Sequence, residues 1–436
     1  MTGLLLLSIY VAAFFLCFFV SRFAVQKLFT KKDFTSLKTV TFGDESAVQA
    51  NRAASVLSVV LVFLLWVAFT NSILPLPKAT GPFVGEVQFT YTSTGPEGQT
   101  DDATVKILVY PEDIQFYKDT AGNPMAIPPK PATDPGDGFA KNDSLVVPRY
   151  GSKVINVLGN DEITKRGGAK VTHLNGQAVA FGGSVDISGG SLSLTEKGTP
   201  FFVPSPGLRM ARLYLPAPEL TLSRFLQLNA EGYRNFTLLE HTWASLQRVV
   251  LGFLFGTLIG VPLGYAMGLT NWSRGWFDPI VEFMRPVPPL ALIPLMIIWF
   301  GIGEQSKIIL LFLAALWIMA IAARSGVSGV AIAKVHAAYS LGASKSQILR
   351  KVIVPNSLPE IFTGARVAMG VCWGTVVAAE LVAAEKGLGM MIMVASKFQL
   401  TDIVIVGIIL IGIIGFLIDV GIRWLERIFV PWKGKI

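Results

Sequence analysis

The stretch His336-Ala-Ala-Tyr-Ser-Leu-Gly-Ala-Ser344, continued by Val352-Ile-Val-Pro355 and Leu358-Pro-Glu-Ile361, decides how this chain is built. It reads as a short polar helix with a central glycine and a proline stop, set between two apolar runs. Lys345, Gln347, Arg350 and Lys351 keep it from lying across a bilayer, where no water offsets the cost of burying charge. Spacing alone makes it a cytoplasmic loop with one amphipathic turn.

Its surroundings are those of a polytopic membrane protein. Mean hydropathy is +0.55, 52% of the residues are hydrophobic and only 15% are charged. The net charge of +8 is unevenly spread. Residues 78–215 hold 13 Lys and Arg against 14 Asp and Glu, and the apolar parts with their connectors hold the other 24 basic and 15 acidic residues. That distribution follows the positive-inside rule. No basic patch is interleaved with aromatics, so nucleic acid is not an expected partner, whereas membrane lipid is.

Leu4–Phe19 is apolar with its basic residues after it, the reverse of a secretory signal, and reads as a membrane helix with its N-terminus outside. Segment 1–30 is thus a membrane helix and 31–55 a basic cytoplasmic connector. Segment 56–77 is a second crossing, over Val56–Leu74, that ends at Pro75-Leu-Pro77. From 78 to 214 the long apolar runs vanish. Val87-Gln-Phe-Thr-Tyr91, Ala103-Thr-Val-Lys-Ile-Leu-Val109 and Lys153-Val-Ile-Asn-Val157 alternate as short strands between turn signals, indicating an extracytoplasmic β-sandwich. After Pro218 the apolar stretches 243–268, 286–301, 308–333 and 360–384 and the final Ile403–Leu417 bring the expectation to about seven membrane helices, with the C-terminus cytoplasmic.

Gly252, Gly256, Gly260, Gly264 and Gly268 recur every fourth residue, a stripe along which a neighbouring helix can approach backbone to backbone. The stretch 285–307 is proline-rich, consistent either with a broken helix beside a pathway or with a kinked helix at a packed interface. Glu380, at the end of an apolar run, is the foremost candidate among the intramembrane ionisable residues. With Trp299, Met369 and Trp373 it is a candidate for a translocation pathway, the alternative being a structural hydrogen bond. Arg366 reads as snorkelling, and Asp419 as an i,i+4 partner of Arg423. Cys17 and Cys372 read as small buried hydrophobes. His173, His241 and His336 are scattered, so no metal or nucleophilic constellation forms. No G-x-x-x-x-G-K-[ST] is present, so the chain is not expected to cradle ATP or to be an enzyme.

Ala337-Ala338, three residues, Gly342, nine residues, then Val352-Ile-Val-Pro355 resembles the coupling motif of bacterial ABC importer permeases. The proline-rich stretch, Thr375-Val-Val-Ala-Ala-Glu-Leu-Val-Ala-Ala384, Gly387-Leu-Gly389 and Pro431-Trp-Lys-Gly434 resemble the nitrate/sulfonate/taurine family of these permeases, most closely its taurine branch. The resemblance covers roughly 56–77 and 215–436, so 56–77 would be the first permease-core helix, 215–436 the rest of the core, and 1–30 an extra helix. It implies a type I ABC importer permease fold in a bacterial inner membrane. It also implies a second copy of the chain, two cytoplasmic ATP-binding subunits carrying ATP and Mg²⁺, and an extracytoplasmic solute-binding protein. The coupling helix, within 334–355, would present His336, Ala337, Ala338, Leu341, Gly342, Ala343 and Ser344 to the ATPase. His336 stands where the family motif often has Glu. The insert resembles cadherin-like or Ig-like repeats, which often bind Ca²⁺, but its acidic residues are scattered. The expected cargo is taurine or a related sulfonate. Rival readings are nitrate, bicarbonate or a pyrimidine precursor on the same fold, or a membrane-anchored adhesion or sensor protein that works through the β domain.

Overall fold

In Val87–Tyr91 and Ala103–Val109 every second residue is buried and its neighbours are less so, as in a strand with one face on a core. The computed structural model describes residues 3–29, 52–111, 117–118, 124–125 and 127–432. Most of the expected connector, 31–51, and residues 433–436 of the basic tail lie outside the described residues. The chain divides into two compact units, Met1–Ala217 and Pro218–Ile436.

In the first unit β1 (Gly85–Thr94) and β2 (Thr100–Tyr110) form an antiparallel hairpin, paired from Gly85 with Val109 to Thr94 with Thr100. Further strands are β3 (Asp143–Pro148), β4 (Lys153–Val154), β5 (Lys170–Leu174), β6 (Gln177–Ala178), β7 (Ser184–Ile187), β8 (Gly190–Leu194) and β9 (Pro200–Pro204). They make one sheet of order β3-β2-β1-β5-β6 and another of order β4-β9-β8-β7. Phe89, Tyr91, Ile107 and Leu174 of the first meet Leu192 and Phe202 of the second in one buried cluster. The alternation over 78–214 is thus realised as a sandwich. Two of its carboxylates bond to the protein itself. Asp161 Oδ1 accepts from the Tyr91 hydroxyl at 2.9 Å and the Lys141 amide at 2.8 Å, and Asp101 Oδ2 accepts from the Ala140 amide at 2.8 Å.

The helices of this unit are α1 (Gly3–Phe29) and α2 (Arg52–Ala68). The Tyr10 ring meets Phe69 edge-on at 4.3 Å, and the Trp66 Nε1 donates to Pro216 O at 2.9 Å. α2 stops before the expected Leu74. The Thr70 hydroxyl turns back onto Trp66 O at 2.8 Å, and Pro75 and Pro77 cannot extend a helix.

The second unit comprises α3 (Pro218–Glu231), α4 (Leu238–Leu269), α5 (Asn271–Met284), α6 (Ile293–Phe300), α7 (Glu304–Ser328), α8 (Ile332–Ser340), α9 (Lys345–Ile348), α10 (Val354–Ala383), α11 (Leu388–Lys397) and α12 (Thr401–Phe429). Gly252 faces Leu311, Gly256 faces Ala315, Gly260 faces Met319, Gly264 faces Ala323 and Gly268 faces Val327. Partner positions advance by four whenever the glycines do, so α4 and α7 run parallel. A Cβ on Gly256 would stand 2.5 Å from that of Ala315, a distance only glycine avoids.

Parallel neighbours require the chain to return between them. It does so through α5 and then Pro289–Phe300, a pair bent by 91°. Val281 of α5 packs on Met267 and Ala320, and Met296 of α6 packs on Leu310 near the start of α7. The expected single span 286–301 is therefore half of a broken crossing. Pro286, Pro288 and Pro289 interrupt its amide ladder, which favours the broken helix over the merely kinked one. α10 runs antiparallel to α7, with Ser357 against Gly326 and the Cys372 thiol on Leu311 O at 3.4 Å. α12 turns back along α10, where the Trp373 Nε1 donates to Ile411 O at 3.0 Å. α8 thus lies at one end of the bundle. The opposite end gathers the starts of α4 and α7 and the loop between α10 and α11.

Among the described residues α4, α7, the run Lys345–Leu381 and α12 are each long and apolar enough to cross a membrane, and the bent pair makes a fifth crossing. The other two expected crossings are shorter apolar helices, Ser8–Val20 within α1 and Ala54–Ala68 within α2. Pro355 is not a stop. It lies just past the π turn Leu349–Ile353, inside the continuous helical run Lys345–Leu381, where the widened turn accommodates a residue without an amide proton.

Candidate functional site

The segment between α7 and α10 has a local cause. α8 ends in a Schellman arrangement, with the Ala343 amide on Ala338 O at 3.1 Å and the Gly342 amide on Tyr339 O at 2.9 Å. Gly342 takes φ +79°, a left-handed conformation that glycine adopts without strain. Two residues on, Ser344 caps α9. Its hydroxyl accepts from the Gln347 amide at 3.3 Å, and Gln347 Oε1 accepts from the Ser344 amide at 2.8 Å. The expected helix over 336–344 therefore ends at Ser340 in a glycine turn, and a second helical piece begins at Lys345. None of α8 is buried, and Leu341 at its tip is 88% exposed beside exposed Tyr339 and His336. Ala338 and Ala343 are half-buried, while Ala337, Gly342 and Ser344 are exposed. Lys334 Nζ donates to Asn356 Oδ1 at 2.8 Å, which ties the segment to α10.

The opposite end carries a buried charge cluster. Arg248 of α4 donates Nε and Nη2 to Glu304 at 2.5 and 2.7 Å, and Nη1 to Glu380 Oε1 at 2.5 Å and Lys386 O at 2.9 Å. Glu380 also accepts from the Ser245 hydroxyl at 2.8 Å and the Gly389 amide at 2.9 Å. Lys307 Nζ donates to Glu304 Oε1 at 3.1 Å, so the two cations match the two carboxylates. His241 Nδ1 accepts from the Gly387 amide at 3.1 Å, and its Nε2 reaches Tyr233 O at 3.0 Å. A carbonyl only accepts, so the proton sits on Nε2. These bonds fasten the loop between α10 and α11 to the starts of α4 and α7.

Of the pathway candidates, Glu380 lies in this cluster, Met369 and Trp373 are buried between helices, and Trp299 is 62% exposed on α6. The four do not converge on one cavity. Arg366 pairs with Glu426 at 3.7 Å rather than snorkelling alone, and Arg423 meets Asp419 at 2.5 Å. Sequence reasoning missed Arg248, Ser245, His241, Glu304 and Lys307. Arg248 carried a usable signal, since an arginine inside the apolar run 243–268 needs a carboxylate and Glu380 was the buried acid without one.

A family profile described as "Binding-protein-dependent transport system inner membrane component" matches residues 256–429. Over 225 residues the chain is 49% identical to the taurine transport system permease protein TauC of Escherichia coli (strain K12), a match covering 51% of this chain and 82% of that protein. It is 41% identical over 198 residues to a putative ABC transporter permease protein of Methanocaldococcus jannaschii, covering 45% and 74%. It is 38% identical over 219 residues to the putative aliphatic sulfonates transport permease protein SsuC of Escherichia coli (strain K12), covering 50% and 82%.

Proposed function

This chain belongs to the family of binding-protein-dependent transport system inner membrane components, and we propose that it carries taurine or a related sulfonate inward. It is a membrane permease subunit with the type I ABC importer fold, and it is not the catalytic part of the machine. Its family works with separate ATP-binding subunits and a solute-binding protein. In this reading two copies of the chain pair, and each offers its α8 end, rich in Lys334, Lys345, Arg350 and Lys351, to one ATPase on the cytoplasmic side. The N-terminus and the β unit face outward. ATP binding closes the two ATPases, draws the two α8 segments together and opens the permease to the outside by rigid-body motion.

The observation that carries the reading is the uncovered α8–Gly342–α9 turn with the exposed Leu341 at its tip. The substrate class is supported by the likeness to two permeases named for taurine and for aliphatic sulfonates. The test is uptake into proteoliposomes holding the chain with its ATPase, driven by the liganded binding protein. ATP-dependent uptake of labelled taurine is expected. Uptake of nitrate or bicarbonate with none of any sulfonate would overturn the choice of cargo, and uptake persisting without ATP hydrolysis would overturn the class of transporter. The β unit is read as a docking surface for the solute-binding protein. Deleting 80–212 should weaken binding-protein association, and unchanged affinity would reduce the unit to a spacer.

A further inference from the structure

Beside the charge cluster a cavity of about 300 Å³ opens between the turn before α4, the start of α7 and the α10–α11 region. Arg234, Glu385 and Lys397 line it together with the apolar Ile302, Leu381 and Met393. Its volume is at the small end of the range for small-molecule sites, which suits a ligand of few heavy atoms. Glu380 also reaches the cavity wall, but Arg248 already balances its charge. Among the described residues Arg234, Glu385 and Lys397 form no ion pair, so two cations and one carboxylate face the same space unspent.

The backbone at the cavity edge is unusual in the same place. Arg234 and Asn235 hold φ +52° and +66°, and Gln399, two residues past Lys397, holds +56°. Left-handed geometry suits asparagine but is unfavourable for a long side chain by about 1 kcal/mol. The turn persists because Tyr233 and Phe236 clamp it with paired amide bonds of 2.7 and 3.2 Å. A turn of that shape commonly carries glycine or asparagine at both central positions. Here one of them presents a guanidinium, whose planar fork matches the oxygens of an oxyanion.

We propose that Arg234, Lys397 and Glu385 form a receiving subsite for a small zwitterion. Its sulfonate is held by the two cations, its ammonium by the carboxylate, and its short carbon link lies on the apolar wall of Ile302, Leu381 and Met393. The assignment rests on the reading of the chain as a sulfonate carrier and adds to it the feature that distinguishes an aminosulfonate from a plain one. A net positive rim also draws anions toward the cavity from solution.

The test uses the complete transporter in proteoliposomes, with binding protein loaded either with taurine or with an amine-free alkanesulfonate of the same length. Arg234→Gln with Lys397→Gln should lower uptake of both solutes per ATP hydrolysed by about tenfold. Arg234→Lys with Lys397→Arg should restore most of it. Glu385→Gln should lower taurine uptake while leaving the amine-free sulfonate at the wild-type rate. ATPase stimulation by liganded binding protein is measured on the same vesicles, so that uptake is read per ATP hydrolysed. Variants that transport both solutes like wild type overturn this inference alone. A wild-type complex that imports no sulfonate overturns the functional reading and the inference with it.

Discussion

Arg248→Met removes the guanidinium from the charge cluster while keeping an unbranched side chain of similar reach. Arg248 is 2% exposed and Glu380 1%, so the variant leaves Glu380 with the Ser245 hydroxyl and the Gly389 amide but no counter-charge. Breaking a buried pair from one side costs about 3–5 kcal/mol. Glu304 differs, because its side chain is 56% exposed and keeps Lys307. Water screens that half of the cluster, which is worth about 1 kcal/mol or less. Most of the loss therefore comes from Glu380. For a unit of this size each kcal/mol moves the melting temperature by about 2–4 °C, so Arg248→Met should lower it by about 10 °C and Glu304→Gln by about 2 °C. The assay is thermal unfolding of the detergent-solubilised protein, read by intrinsic fluorescence. The double variant Arg248→Met/Glu380→Gln removes both buried charges and should recover more than half of the loss, since a pair replaced by neutral groups is often close to neutral. Melting of the single variant at the wild-type temperature, or of the double variant at or below the single, would refute this account of the cluster.

Gly256→Leu should abolish folded protein in detergent, because its Cβ alone would stand 2.5 Å from that of Ala315, whereas Gly275→Ala, with open space around it, should express and melt like wild type. Leu341→Ala should leave the melting temperature unchanged, the residue being 88% exposed, but lower ATPase co-purification and ATP-driven uptake by about tenfold or more. In the β unit burial foremost, and then the charge of Asp161, push Asp143 up to about 6. A carboxyl raised in the native state holds its proton there after the unfolded chain has lost it, so stability is greatest below about pH 4 and falls as pH rises to about 6. Melting of the β unit within the full chain, followed from pH 4 to 8, should show that fall, and Asp143→Asn should flatten it and raise stability at pH 7. A wild-type profile that rises over the same interval would contradict the sign.

The legible features are local ones. The polar helix around His336 and the strand alternation in Val87–Tyr91 were legible because each depends on neighbours within a few residues, whereas the left-handed turn at Gly342 emerged only in the structure. The four-residue glycine stripe signalled close packing but not its partner, and only the parallel register with α7 supplied it. Prolines misled in one place and helped in another. Pro355 looked like a stop and sits inside a continuous helical run, while Pro286, Pro288 and Pro289 do break the crossing, one of the two readings the proline-rich stretch left open.

Sequence by itself determined the class of molecule: membrane helices, a β-sandwich between them, and a polar turn that resembles a permease coupling motif. Hydropathy, period and turn chemistry are properties of contiguous residues, and water or lipid reads them wherever they fall. Tertiary structure alone decided that Arg248 and Glu380, 132 residues apart, share a bond, and that Arg234 and Lys397 face one cavity. Such meetings follow from the direction in which each helix crosses and from which faces pack. A long-range contact has no periodic trace in the chain, so its residue types announce a need for a partner without saying where that partner stands.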